Sequence, residues 1–98
     1  MKTAIELIQE ERQRQIDEEH FSQDSDRKHL FGELAMGAAA YALPYHARLF
    51  KADGTPFCWP FGNDRWKPVP SDRKRELIKA GAMIAAEIDR LSALENKQ

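Results

Sequence analysis

The chain has 98 residues, enough for one small domain with a limited core, so self-association is an expectation from the outset. Charged residues make up 32% and hydrophobic residues 42%, a globular balance, and a formal net charge of -1 speaks against a general DNA or RNA binder with a broad basic face. A single cysteine, Cys58, rules out an intrachain disulfide framework, and no run approaches the roughly 18 apolar residues of a membrane span.

The first residues, MKTAIELIQEERQRQ, turn charged too soon for a signal peptide, which makes a cytoplasmic protein the expectation. Thr3 and Glu6 have the spacing of a capping box and predict a helix from about 3 to 19. Its apolar stripe is Ile5, Ile8 and Ile16, with Arg12 in the middle and Gln15 at the edge. A guanidinium on a core-facing stripe needs an anion or several acceptors.

Residues 20–27 are polar and turn-rich, and Asp24, Ser25 or Asp26 could cap a second helix over about 28–43. Its expected core face is Leu30, Leu34, Ala38 and Tyr41, flanked by Phe31 and Ala42, with His29 and Glu33 one turn apart at the border. Pro44 ends that helix. The connection over about 44–70 holds all five prolines and both tryptophans, and so long a loop in so small a protein is usually functional or an interface.

Ser71 is the expected cap of a third helix over about 71–94, with Asp72 in its first turn. Leu77, Gly81, Ile84, Ile88 and Leu91 form its expected core stripe. Glu76, Ala80, Met83 and Glu87 make a second line along one edge, with Lys79 and Arg90 beyond. The fold class read from this pattern is all-α, a single three-helix bundle with a long aromatic and proline-rich loop before the last helix, in a homo-oligomer.

The polar residues beside these faces are Arg12, Gln15, His29, Glu33, Lys79 and Glu87. They read either as a buried network, Arg12 being satisfied by Glu33 or Glu87, or as a ligand site. Glu6 and Glu10 have a spacing that can share a divalent cation, but their solvent-facing position fits a solvated charge pair better. No Gly-rich phosphate loop is present, and no histidine is placed by the sequence to activate Cys58. In the loop, Trp59, Phe61 and Trp66 could stack on a base while Arg65 and Lys67 meet phosphate; alternatively the rings close over the core or an interface.

The run His29-Leu30-Phe31-Gly32-Glu33-Leu34-Ala35, the Ala-Ala-x-Tyr-Ala ending at Ala42, Trp59-Pro60-Phe61, Trp66-Lys67-Pro68 and the stretch Ile78 to Leu91 resemble a group of small phage and prophage helical proteins. More distantly, Gly32-Glu33-Leu34-Ala35 is similar to the end of a motif in the all-α MazG-type nucleotide pyrophosphohydrolases, whose carboxylates hold Mg²⁺ against a nucleoside triphosphate. His29 and Leu30 stand where that motif's preceding carboxylates belong, and Lys79 follows Glu76 at the position of an acidic partner.

The leading expectation is therefore non-catalytic binding of a phosphate-bearing nucleotide, the phage resemblance implying sequestration of a nucleotide immune signal. Arg12 and Lys79 would hold phosphate, Glu33 and Glu87 would orient them, Trp59 or Trp66 would stack on the base, and Gln15, His29, Arg65 and Lys67 would complete the ligand site, with no metal or cofactor. The enzyme alternative places Mg²⁺ on Glu33, Glu76 and Glu87 for pyrophosphohydrolysis. A third alternative is a protein–protein interaction module without a small-molecule ligand.

Overall fold

A computed structural model of the chain describes residues 1–19 and 32–96. Among these residues three helices run over Ala4–Glu19 (α1), Glu33–Ala42 (α2) and Arg73–Glu95 (α3), with 3₁₀ turns at Tyr45–Ala47 and Asn63–Arg65. Among the described residues there is no strand, only an isolated bridge between Phe50 and Pro56. The all-α, three-helix expectation holds. The expected start of the second helix at 28, with Asp24, Ser25, Asp26, His29, Leu30 and Phe31, lies outside the described residues.

The helix starts follow local hydrogen bonding. The Thr3 amide donates to Glu6 Oε1 at 3.0 Å, and the Glu6 amide donates to Thr3 Oγ1 at 3.2 Å, closing the capping box. On α3 the cap is Asp72 rather than Ser71, since Asp72 Oδ1 accepts from the Arg75 amide at 3.0 Å.

Both α1 and α2 pack on α3, the central helix. α2 runs antiparallel to it: Gly37 faces Met83, and the last carbonyls of α2 accept from Arg73 at the start of α3. The core consists of Leu34, Ala38, Ala40, Tyr41, Trp59, Ala80, Met83 and Ala86. Small residues let the backbones approach. A Cβ on Gly37 would come within 2.5 Å of Met83 Cε, and one on Gly81 within 2.7 Å of Ile8 Cδ1.

Two helix faces are rotated from the expectation. On α3, Lys79, Met83, Ala86 and Arg90, at i, i+4, i+7 and i+11, form the centre of the buried face. Leu77, Ile84, Ile88 and Leu91 are exposed instead, and only Gly81 of that line packs inward. On α1, Arg12 and Gln15 are buried as their place on the stripe implies, but Ile5 is exposed and Glu11 is buried instead. Apolar count misplaces both faces because long cationic stems cover as much core as a leucine does, once their charged ends find partners.

The loop is stitched to the helices rather than loosely draped. Residues 49–57 fold back on themselves: Lys51 N donates to Thr55 O at 2.8 Å, and Asp53 Oδ1 accepts from the Thr55 amide at 3.0 Å. Gly54 takes the left-handed conformation (φ 88°) that this turn requires. Further on, the Lys67 amide donates to the Tyr41 hydroxyl at 3.1 Å, and the Val69 amide donates to Glu76 Oε2 at 3.0 Å.

Candidate functional site

The carbonyls that end α2 are capped by arginines. Ala39 O accepts from the Leu43 amide at 3.0 Å. Arg48 Nε donates to Ala40 O at 2.9 Å and its Nη2 to Tyr41 O at 3.1 Å, while Arg73 donates to Tyr41 O at 2.8 Å and also to Ala42 O. All four carbonyls left over by the helix are satisfied, and two positive charges sit at its negative dipole end. Glu76 ties the cluster together, accepting from Arg48 at 3.0 Å and Arg73 at 3.1 Å. Burial alone would push the Glu76 carboxyl up, but hydrogen bonds from Arg48, Val69 and Arg73 outweigh it and hold its pKa below the ordinary 4.5.

A second buried carboxylate, Glu11, accepts from Arg14 Nη2 at 2.7 Å and Nε at 2.8 Å, from Gln15 Nε2 at 2.9 Å, and from Arg75 of α3. Burial raises its pKa, but hydrogen bonds from Arg14 and Gln15 and the nearby positive charges bring it below the ordinary 4.5. Neither Glu11 nor Arg48 was among the sequence-derived site residues. Arg48 does follow the helix-ending Pro44, where cations commonly meet the last carbonyls, while Glu11 carries no comparable local signal.

The residues expected to hold phosphate are spread along the bundle. Arg12 is buried with Nε 3.9 Å from Asp89 Oδ2, an acid the sequence reading did not assign to it. Gln15 is buried beside it, and its Oε1 has no hydrogen-bond partner among the described residues. Glu87 grips Arg90 with two hydrogen bonds, at 2.6 Å to Nε and 3.2 Å to Nη2. That pairing raises the Arg90 pKa, and the charge of Glu33 on the facing end of α2 adds to the effect. Lys79 places its ammonium 5.7 Å from the centroid of the Tyr41 ring, a cation–π arrangement. His29 lies outside the described residues.

The three carboxylates of the magnesium alternative are not gathered into one site. Glu76 belongs to the Arg48–Arg73 cluster and Glu87 to Arg90, roughly 16 Å along the same helix at ~1.5 Å per residue. Among the described residues no group of three His, Cys, Asp or Glu side chains is arranged to hold a metal. Glu6 serves the capping box and Glu10 pairs with Lys2.

The loop aromatics divide. Trp59 is a core residue: its ring lies 5.4 Å from Tyr41 and 5.1 Å from both Phe61 and Trp66, and its Nε1 donates to Gly62 O at 3.1 Å. Its faces are therefore occupied, and the base-stacking role expected for it is not available in this arrangement. Trp66 is half-buried, 4.7 Å from Tyr41, with the Arg48 guanidinium 5.4 Å from its centroid. Arg65 and Lys67 are exposed on the loop surface.

Two hollows are apolar. One of about 440 Å³ lies between α2 and the loop, lined by Met36, Leu43, Leu49, Pro56 and Phe57, with Cys58 and Arg48 at its wall. The other, about 330 Å³, lies where the starts of α1 and α3 meet, lined by Leu7, Ile8, Leu77 and Ile78 with Lys2 and Lys74. No helix among the described residues is long and apolar enough to cross a membrane. Comparison with known proteins finds no matching family model, no matching curated protein and no matching solved structure.

Proposed function

We propose that this chain is a protein-interaction module whose groove between α2 and the loop receives apolar side chains of another protein. The observation that carries this reading is where the large apolar residues lie. The core is filled mostly by alanines, one leucine, one methionine and two rings, while Met36, Leu43, Leu49 and Phe57 stay exposed around the groove. Contiguous exposed apolar surface on a small chain marks an interface. The scaffold beneath it is rigidly tied by the Arg48–Glu76 cluster.

A photo-crosslinking residue at position 57 tests this in cells. A discrete adduct that disappears when Leu49→Asp is added supports the groove. No adduct, or the same adducts with Leu49→Asp, overturns it.

A second reading, non-catalytic binding of a phosphate-bearing nucleotide, is favoured by Gln15, whose buried Oε1 has no hydrogen-bond partner among the described residues and which lies one turn from buried Arg12. The phage resemblance would make sequestration of a nucleotide signal its setting. Incubation with nucleoside triphosphates and cyclic dinucleotides, followed by mass identification of retained ligand, tests it. Intact retention that weakens in Arg12→Ala or Lys79→Ala supports the reading, and unchanged affinity in both variants sinks it. Pyrophosphate and monophosphate released only with Mg²⁺ would instead support the hydrolase alternative.

A further inference from the structure

The outer face of α3 is a second apolar surface left exposed among the described residues, and no residue of α3 lines the loop-side groove. Leu77, Ile84, Ile88 and Leu91 are 47%, 48%, 57% and 45% exposed. They fall at i, i+7, i+11 and i+14, positions of an alternating four–three spacing over two lines, 77-84-91 and 81-88, in which Gly81 itself packs against Ile8 of α1 and marks the edge of the exposed face. This is the heptad pattern of a helix that pairs with another helix. No polar residue interrupts it between Leu77 and Leu91, and Leu94 extends the apolar surface into the last turns. The helix is 23 residues long, about 34 Å at ~1.5 Å per residue, enough for several such layers.

The charges along α3 are polarised. Residues 73–82 carry four cations (Arg73, Lys74, Arg75, Lys79) and one acid, whereas 83–95 carry three acids (Glu87, Asp89, Glu95) and one cation. Most of them are engaged within the chain, Arg73 with Glu76, Arg75 with Glu11, Lys79 against the Tyr41 ring and Glu87 with Arg90, which leaves a cation at the start and an acid at the end of the outer face. Lys74 and Glu95 are both exposed, and both sit on the line of Gly81 and Ile88, at its two ends. Two such helices side by side in the same direction would bring like charges together. In opposite directions, the basic start of each lies beside the acidic end of the other.

We infer that two copies of the chain pair antiparallel through the outer faces of α3, with Ile84 and Ile88 at the centre and Lys74 of each copy near the last turn of the other. The inference shares with the interaction reading the premise that exposed apolar residues are covered in the working form, but it names a different surface and a different partner.

Size exclusion with light scattering on the full chain is the first readout, and twice the chain mass is expected. Ile84→Asp with Ile88→Asp changes only exposed positions; it should keep the helical circular dichroism and halve the mass. Direction is read by disulfide trapping in a Cys58→Ser background. Copies with Leu77→Cys should crosslink to copies with Glu95→Cys and not to one another.

A monomer at all concentrations overturns the inference, as do crosslinks among Leu77→Cys copies alone. A dimer that survives Ile84→Asp with Ile88→Asp but is lost in Phe57→Asp also overturns it, while leaving the loop-side groove as the interaction surface.

Discussion

Arg48 Nη2 donates to Glu76 Oε1 at 3.0 Å, with both side chains only 4% exposed. The pair joins the loop to α3 across 28 residues of chain, and the same guanidinium caps the end of α2. One ion pair therefore sets the relative placement of α2, α3 and the connection between them. Removing one partner of a buried pair leaves an uncompensated charge, which costs about 3–5 kcal/mol. Glu76→Ala should destabilise the fold on that scale, measured by urea unfolding. A loss of less than about 1 kcal/mol, the range of an exposed pair, would show that the cluster does not hold the loop.

Acid should act through the same groups. Glu11 and Glu76 titrate below the ordinary 4.5 in the folded chain, so the fold favours their ionised forms. Their stabilising contribution is complete above the unfolded value and is lost as pH falls through the lower folded values. The urea midpoint should thus drop as pH falls below about 5, and Glu76→Gln should flatten part of that drop. Equal pH dependence in the parent and Glu76→Gln would rule Glu76 out as a source.

Trp59 and Phe57 lie two residues apart and should behave oppositely. Trp59 is buried among Tyr41, Phe61 and Trp66, so Trp59→Ala should cost about 3–5 kcal/mol of stability by thermal or urea unfolding. Phe57 is exposed at the groove, and Phe57→Asp should leave stability within about 0.5 kcal/mol of the parent.

The start of α3 offers a local test of capping. Asp72→Ala removes the acceptor for the Arg75 amide and should cost about 1 kcal/mol, whereas Ser71→Ala should be close to neutral. A larger loss at Ser71 than at Asp72 would contradict the observed cap.

The sequence by itself determined the helical class, the capping box at Thr3 and Glu6, the end of the second helix before Pro44, and the placement of Leu34, Ala38 and Tyr41 in the core. These are local properties: they depend on backbone hydrogen bonds within a turn, and on one helix whose inward face is plainly apolar or small. Only the tertiary structure decided which way α1 and α3 turn. A buried Glu11, Arg48, Lys79 or Arg90 is tolerable when acceptors, donors or rings from distant segments meet it, and those partners cannot be read from spacing along one helix. Once such partners exist, the cationic stems fill the inner face, and the isoleucines and leucines of α3 are left on the outer one, because a 98-residue chain has too little core to bury both.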